Sequence, residues 1–158
     1  MRVGTGFDAH RLVPDRPLVL GGVSTQYEAG LAGHSDGDAA VHAIIDALLG
    51  AAALGDLGTH FPDHDPRYEG VSSVSLLAQV NELLTQNGWR VRNVDATIVA
   101  ERPRLAPHIE QMRGIVGESL GLGPDKVSIK ATTTDGMGFT GNGEGIAAHA
   151  VVTIEPAT

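Results

Sequence analysis

The stretch Gly37–Leu54, GDAAVHAIIDALLGAAAL, contains the clearest helical pattern in the chain. Its larger apolar side chains recur three and four residues apart, as they do on one face of an amphipathic helix. Gly55 follows directly, and glycine often lies just beyond the end of a helix. His42 lies on the flank of the apolar stripe rather than at its centre. The stretch therefore predicts a helix that packs on a core and presents a histidine at its edge.

Strand and helix patterns occur on both sides of this helix. The predicted strands are Arg2–Phe7, Pro17–Val23, Arg90–Ala100, Lys126–Ala131 and Gly145–Ile154, and the other predicted helices are Ser72–Asn87 and one that begins near Pro107. Turn-forming residues predict loops over Leu57–Glu69 and Thr132–Glu144. This order of elements indicates a mixed α+β fold.

Length and composition are typical of one globular domain. The chain has 158 residues, which predicts a single domain over residues 1–158. Its 11 Lys and Arg residues against 19 Asp and Glu residues give a net charge of −8, which argues against nucleic-acid binding. With 0 cysteines, any metal must be held by histidine and carboxylate groups. The sequence shows no membrane span and no export signal, so we expect a cytoplasmic protein.

Three residues in the first third of the chain have the chemistry of metal ligands. Asp8 and His10 are two apart at a predicted strand end, so both side chains can leave the same face. With His42 they would supply three nitrogen or oxygen ligands and leave a fourth position open, as in catalytic zinc sites. Asp46, one helical turn after His42, could orient the free ring nitrogen of that histidine. The alternative is that His10 caps a turn and that His42 is a hydrogen-bonded core histidine.

The segment His34–Asp38, HSDGD, precedes the long helix and has two interpretations. In the first, Ser35 or Asp36 is simply the helix N-cap, and the acidic residues of the segment favour the helix start. In the second, His34 and Ser35 face the open metal position while Asp36 or Asp38 caps the helix. The residue types alone leave both interpretations open.

Two loops also have a structural and a functional interpretation. Phe61–Pro66, FPDHDP, is either a solvated turn or a proline-stiffened loop whose carboxylates bind substrate hydroxyls. Lys130–Gly136, KATTTDG, either ends a strand with threonines or offers hydroxyl and N–H donors to a phosphate. In the second case Asp135 could hold Mg²⁺, which prefers carboxylate and phosphate oxygens.

Taken together, these segments resemble one family, the 2-C-methyl-D-erythritol 2,4-cyclodiphosphate synthases of the non-mevalonate isoprenoid pathway. The resemblance runs from Arg2 to about Ile154, and the order and spacing of its motifs make it specific. The motifs are GFDAH (Gly6–His10), HSDGDAAVHA (His34–Ala43), DALLGAAALGD (Asp46–Asp56), FPDHDP (Phe61–Pro66), NVDATIVAERP (Asn93–Pro103), PHIEQMR (Pro107–Arg113), KATTTD (Lys130–Asp135) and GFTGNGEGIA (Gly138–Ala147).

The resemblance implies a fold, an assembly and a reaction. The fold would be a mixed four-stranded sheet with helices packed on one face, assembled as a homotrimer with active sites between adjacent subunits. The enzyme would be a lyase acting on 4-diphosphocytidyl-2-C-methyl-D-erythritol 2-phosphate, whose 2-phosphate attacks the β-phosphorus. The products would be 2-C-methyl-D-erythritol 2,4-cyclodiphosphate and CMP. Two other hypotheses are a metal-dependent phosphohydrolase and a non-catalytic trimeric sensor of metal and nucleotide.

The resemblance also assigns metals and catalytic residues. It implies one Zn²⁺ per subunit on Asp8, His10 and His42, with a substrate phosphate in the open position. It implies Mg²⁺ or Mn²⁺ at Asp135, bridging the substrate phosphates. The two residues that would stabilise the transition state are His34 and Thr133.

The positions that would bind substrate fall into two sets. The first set would hold the methylerythritol phosphate and the metal-bound phosphate: Asp8, His10, His34, Ser35, Asp56, Leu57, Gly58, Phe61, Pro62, Asp63, His64 and Asp65. The second set includes the cytidine pocket, which the neighbouring subunit would supply: Ala100, Pro103, Leu105, Ala106, Thr132, Thr133, Thr134, Asp135, Phe139 and Asn142.

The chain departs from the family pattern at three places. Asp135 stands in place of the more common glutamate, Gly136-Met137 in place of a Lys-Leu pair, and Asn142 in place of arginine. In the family that arginine lines a central trimer cavity that can hold isoprenoid diphosphates. Neutral amides bind a diphosphate less strongly than guanidinium groups do, so we expect weak binding of isoprenoid diphosphates here.

Overall fold

The computed structural model describes all residues, 1–158, and consists of one large sheet, one small hairpin and helices. The strands are β1 (Arg2–Pro14), β2 (Leu18–Leu20), β3 (Val23–Thr25), β4 (Ala29–Leu31), β5 (Trp89–Val99), β6 (Val127–Thr132) and β7 (Gly145–Pro156). The helices are α1 (Ala39–Ala52), α2 (Leu57–His60), α3 (Ser73–Gln86), α4 (Ile109–Leu120) and α5 (Gly138–Gly141), with 3₁₀ turns at Pro66–Tyr68, Ala106–His108 and Pro124–Lys126. The predicted α+β class is confirmed.

The large sheet is mixed and has five strands in the order β4-β1-β7-β5-β6. β5 and β6 are parallel, and the other neighbours are antiparallel. The prediction of four strands was therefore wrong by one strand. The additional strand, β4, has only 3 residues, too few to show an alternating pattern, and it pairs with the end of β1.

Three predicted segments contain more structure than their patterns indicated. Pro17–Val23 was predicted as one strand, but it turns at Gly21 and Gly22, with φ angles of 57° and 79°, into the hairpin of β2 and β3. Positive φ angles of this kind suit glycine, which has no Cβ to clash. The predicted loops Leu57–Glu69 and Thr132–Glu144 contain the short helices α2 and α5.

Helix α1 lies directly on β1 and β7, and two glycines of β1 make this approach possible. A Cβ on Gly4 would lie 1.9 Å from the backbone oxygen of Ala47, and a Cβ on Gly6 would lie 2.0 Å from that of Ala43. Helix α3 packs on α1, and α4 packs on α3 and β6, so that 35 buried apolar residues form one core. The three long helices lie on one face of the sheet, as predicted.

The second face of the large sheet bears none of the three long helices and includes exposed apolar side chains. Val3, Phe7 and Val151 are exposed to 66%, 62% and 37%, while the alternate residues Gly4 and Gly6 of β1 are buried. This alternation follows from the two-residue period of a strand. None of the helices has both the length and the apolar character needed to cross a membrane.

Candidate active site

Asp8, His10 and His42 meet at a corner between β1 and α1. Asp8 Oδ2 lies 2.7 Å from His10 Nε2 and 3.0 Å from His42 Nδ1, and the two ring nitrogens are 3.2 Å apart. β1 continues past Phe7, so Asp8 and His10 lie within the strand, on the same face as Gly6. The close packing that Gly6 permits brings α1, and with it His42, next to these two residues. One nitrogen or oxygen atom of each residue can thus coordinate a single metal ion.

Hydrogen bonds at the far side of each ring orient the two histidines. His10 Nδ1 lies 2.5 Å from the carbonyl oxygen of Ala32, and because a carbonyl only accepts, Nδ1 carries the proton. His10 Nε2, which lies 2.7 Å from the Asp8 carboxylate, is therefore the ring nitrogen that would bind a metal. His42 Nε2 lies 2.8 Å from Ser73 Oγ and 3.1 Å from Ser35 Oγ, so its Nδ1 faces Asp8.

The prediction that Asp46 orients His42 was wrong. Asp46 Oδ1 instead accepts a hydrogen bond of 2.8 Å from the backbone N–H of Leu57, at the start of α2. Side chains on a helix lean toward its N-terminus, so the His42 ring reaches back toward Ser35 and away from the following turn. The partner on Ser73 lies 31 residues away in sequence, and no local spacing could have indicated it.

The corner keeps Asp8 ionised at neutral pH. Burial raises the pKa of Asp8, but the hydrogen bonds from His10 and His42 outweigh burial and lower it to about 2. The hydrogen bond to Asp8 in turn raises the pKa of His10, against the opposing effect of burial. Since metal ligands must be deprotonated, an ionised Asp8 is already in the form that a divalent cation binds.

The corner opens into a pocket of about 280 Å³. Of the residues that line it, the predicted ones are Asp8, His10, His34, Ser35, His42, Leu57, Phe61 and Asp63. Sequence reasoning missed the lining residues Gly33, Tyr68 and Leu76. Tyr68 packs edge-on against Phe61 with ring centroids 5.3 Å apart, and an aromatic residue at the end of a candidate binding loop was a usable signal. Leu76 belongs to an apolar helix stripe and carried no such signal.

The loop beside the pocket presents some of its predicted residues and turns others away. The side chain of Asp65 is bound to Arg67, with oxygen and nitrogen 2.6 Å apart, and this contact lowers the pKa of Asp65 to about 2. The Asp65 backbone oxygen accepts a hydrogen bond of 2.9 Å from His34 Nε2 and so orients that ring at the pocket. Asp56 caps α2 by accepting from the N–H of Thr59. The predicted residues of this region that do not line the pocket are Asp56, Gly58, Pro62, His64 and Asp65.

The first interpretation of the segment before α1, with Ser35 or Asp36 as the N-cap, was wrong, and the structure agrees with the second. Asp38 is the N-cap of α1 and accepts from the N–H of Val41 at 3.0 Å. His34 and Ser35 line the pocket instead of capping. Asp36 serves the other helix, because its Oδ2 accepts a hydrogen bond of 3.1 Å from the N–H of Ser73 at the start of α3.

The second set of predicted substrate-binding residues does not reach this pocket within one chain. β1 and β5 are both antiparallel to β7, so Asp8 and the loop that follows β6 lie at the same end of the sheet. β1 and β6 are nevertheless three strand spacings apart, or about 14 Å. None of the residues from Ala100 onward lines the 280 Å³ pocket, and Asn142 lines a separate cavity of about 170 Å³ with Tyr27, Glu101 and Arg102.

Comparison with known proteins agrees with the sequence motifs. The family model described as the YgbB family matches residues 1–155. The chain belongs to the YgbB family. A relative from Syntrophomonas wolfei, named 2-C-methyl-D-erythritol 2,4-cyclodiphosphate synthase, is 58% identical over 157 residues, which are 99% of this chain and 100% of that one. The family predicted from the motifs is confirmed, because the relatives bear its name.

Solved structures agree with this membership of the YgbB family. The bifunctional IspDF from Campylobacter jejuni superposes with a TM-score of 0.94 at 37% identity, and the match covers 98% of this chain and 42% of that longer one. A 2C-methyl-D-erythritol-2,4-cyclodiphosphate synthase in a form bound to CDP superposes with a TM-score of 0.89 at 36% identity, covering 98% of this chain and all 100% of the other. The fold described above is therefore that of solved cyclodiphosphate synthases.

Proposed function

We propose that this chain is a 2-C-methyl-D-erythritol 2,4-cyclodiphosphate synthase, acting in isoprenoid precursor synthesis. The observation that best supports this function is that Asp8, His10 and His42 come together at a pocket and could hold a metal ion. The chain is also 58% identical over its length to a relative of that name. The substrate is 4-diphosphocytidyl-2-C-methyl-D-erythritol 2-phosphate. An oxygen of its 2-phosphate bonds to the β-phosphorus, the bond from that phosphorus to the bridging oxygen breaks, and CMP leaves with that oxygen.

The residues of the corner fit a zinc ion. They supply one carboxylate oxygen and two imidazole nitrogens, each already turned toward the other two, and zinc binds such ligands while keeping a position open for substrate. When bound, Zn²⁺ neutralises phosphate charge and polarises the phosphorus–oxygen bonds as a Lewis acid. We propose one Zn²⁺ per subunit at Asp8, His10 and His42.

Charge balance supports the use of divalent cations. The protein has a net charge of −8, and the substrate carries several phosphate charges of the same sign. Lys126 and Lys130 are its lysines, and Lys130 pairs with Asp95, so lysine side chains offer the phosphates little compensation. A phosphate monoester is itself a nucleophile, so the chain has to align the two phosphates and offset their charge, and no protein base is required.

The pocket residues would hold the methylerythritol phosphate part. The ring of His34 is fixed by the Asp65 carbonyl, and the apolar faces of Leu57 and Phe61 lie beside it in the pocket. In this proposal His34 stabilises the transition state at the phosphates, together with the hydroxyl of Thr133. Ser35 and Asp63 supply further polar contacts from the pocket wall.

The cytidine part would be held by a neighbouring subunit. Ala100–Ala106 and Thr132–Thr134 lie too far from the pocket of their own chain, whereas a second copy can bring them to it. The exposed apolar side chains of Val3, Phe7 and Val151, on the sheet face away from the three long helices, support an assembly that covers this face. We propose a homotrimer with three active sites between subunits, in which Asp135 holds Mg²⁺ or Mn²⁺ at the substrate diphosphate. The single catalytic domain over residues 1–158 and a cytoplasmic location are part of the same proposal.

A single incubation tests this function against the two others. The chain is mixed with the substrate, Zn²⁺ and Mg²⁺ in ¹⁸O-labelled water, and the products are followed by phosphorus NMR and mass spectrometry. Cyclisation is expected to give CMP and a cyclic diphosphate that contains no ¹⁸O. A phosphohydrolase would instead place ¹⁸O on a released phosphate, and a sensor would leave the substrate intact; either result overturns the proposal.

A further inference from the structure

We propose that Ser73 and Asp36 form a hydrogen-bonded relay that holds the imidazole ring of His42 so that its Nδ1 points to the metal position. The inference rests on the metal corner of the proposed function but concerns two residues outside the ligand set. Ser73, the first residue of α3, is fully buried at 0% exposure and is one of the few buried polar residues of the chain.

The direction of each hydrogen bond follows from counting protons. Ser73 Oγ lies within hydrogen-bond distance of both Asp36 Oδ1 and His42 Nε2. A carboxylate only accepts, so the single hydroxyl proton of Ser73 is donated to Asp36. At the 2.8 Å contact with His42, the Ser73 oxygen can then only accept, and Nε2 must carry a proton. The other ring nitrogen, Nδ1, faces Asp8 Oδ2 at 3.0 Å and is the atom that would bind a metal in place of this contact.

Asp36 is held in place by the start of a helix. Its Oδ2 accepts a hydrogen bond of 3.1 Å from the backbone N–H of Ser73, and its Oδ1 accepts one of 3.2 Å from Asp38 N. The N-cap residue of α3, Ser72, makes no capping hydrogen bond with its side chain, so Asp36 supplies the acceptor that this helix start needs. The positive end of the helix dipole favours a carboxylate at this position. The relay therefore links the N-terminus of α3 through Asp36 and Ser73 to His42.

Ser35 is a secondary partner of the same nitrogen. Its Oγ lies 3.1 Å from His42 Nε2, farther than the 2.8 Å of Ser73, and it accepts the N–H of Gly37 at 3.3 Å. Ser35 also lines the pocket, whereas Ser73 does not. Ser73 is thus a positioning residue, which acts on the metal through His42 and touches no substrate.

The first test measures zinc binding alone. Zn²⁺ affinity of the full chain is determined by competition with a chromophoric chelator for Ser73→Ala and for a matched control, Ser75→Ala. Ser75 lies two residues further along the same helix, exposed, and its hydroxyl donates to Ser72 O at 2.6 Å. We expect Ser73→Ala to weaken zinc binding by about 10–100-fold, as loss of a partner behind a metal ligand typically does, and Ser75→Ala to leave it unchanged. Equal affinities of the two variants would overturn the relay.

The second test reads the orientation of the His42 ring and needs no activity. Long-range ¹H–¹⁵N spectra of the zinc-loaded full chain distinguish the ring nitrogen that binds zinc from the one that carries a proton. The relay requires zinc at Nδ1 and a proton at Nε2 of His42 in the wild type. It also predicts that Ser35→Ala/Ser73→Ala, which removes both acceptors, speeds the exchange of this Nε2–H proton with water while the fold, monitored by circular dichroism, is retained. Zinc bound at Nε2 in the wild type would refute the relay and would leave the proposed cyclisation untouched.

Discussion

The corner around His42 and the loop that follows β6 are built in opposite ways. At the corner, the far nitrogens of His10 and His42 are hydrogen-bonded to residues of other segments, and the ligand atoms already face one another. In the loop, Thr133 and Asp135 are exposed, and they bond mainly to each other at 3.3–3.4 Å. Asp135 also has a φ of 52°, in a region that side chains rarely adopt.

This difference shows which half of the proposed site one chain organises alone. The corner lies between a strand and a helix that pack closely, so its geometry is fixed when the chain folds. The side chains of Thr133 and Asp135 have no hydrogen-bond partner outside the loop, so their geometry would be set by a neighbouring subunit and by substrate. Changes at the corner should therefore affect metal content and stability, whereas loss of the Thr133 or Asp135 side chain should affect activity alone.

The largest effect is expected from His42→Ala. Two ligands should hold Zn²⁺ far more weakly than three, and loss of the charge compensation at the phosphates should lower the rate of CMP release by about 10³-fold or more. Zinc content by elemental analysis and CMP release by chromatography measure the two effects. Full zinc occupancy in an active variant would contradict the assignment of His42 as a ligand.

The close packing of β1 on α1 can be broken with Gly6→Ala. The added Cβ would lie 2.0 Å from the Ala43 oxygen, and no rotamer change can relieve contact with a backbone atom. We expect a loss of about 3 kcal/mol in the free energy of unfolding by urea, at the upper end for overpacked sites, together with weaker zinc binding.

Gly136→Ala is the matched control in the loop. Gly136 has a φ of 78° but no atom within 4 Å of its added Cβ, so only backbone strain of about 1–2 kcal/mol is expected, with zinc binding intact. If the two alanine variants were equally destabilised, close packing at Gly6 would not be what holds the corner together.

The sequence predicted elements and the placement of the candidate ligands well where the signal was local. The apolar spacing of Gly37–Leu54 predicted α1, which spans Ala39–Ala52, and the Asp8–His10 spacing predicted two side chains on one face. It failed where the decisive contact is long-range. β4 is recognisable only through its pairing with β1, and Ser73 only through its contact with a histidine 31 residues away.

The choice of Asp46 as the partner of His42 shows how a local rule misleads. The i, i+4 spacing correctly brings residues to one helix face, but it does not say which nitrogen of the ring points along the helix. The ring leans toward the N-terminus, and Asp46 is used to anchor Leu57. The distance between β1 and β6 could not be predicted from local spacing either, because strand order is set by pairing over the whole chain.

Replacement of Asp135 tests whether the loop affects activity without affecting the corner. Asp135→Ala should lower the rate of cyclisation by about 10²-fold, because the ion that would offset charge at the diphosphate loses its carboxylate ligand. Zinc content and the free energy of unfolding should stay at wild-type values, since Asp135 bonds only within its own loop. Titrating Mg²⁺ in the assay measures the effect. Unchanged activity with unchanged Mg²⁺ dependence would mean that phosphate and water alone hold the ion.

The smallest effect concerns the acid stability of the metal-free chain. The pKa of Asp8 is lowered from 3.8 to about 2, because its hydrogen bonds to the two histidines outweigh burial. The unfolded chain therefore binds a proton at Asp8 at a higher pH than the folded chain does, so this contribution to stability is fully present above 3.8 and is lost as the pH falls toward 2. A shift of this size corresponds to about 2 kcal/mol. Asp8→Asn lacks this titration, so its free energy of unfolding by urea should fall less steeply than that of the wild type between about pH 5 and pH 2. Parallel curves for the two proteins would show that the hydrogen bonds at the corner do not stabilise the ionised carboxylate in solution.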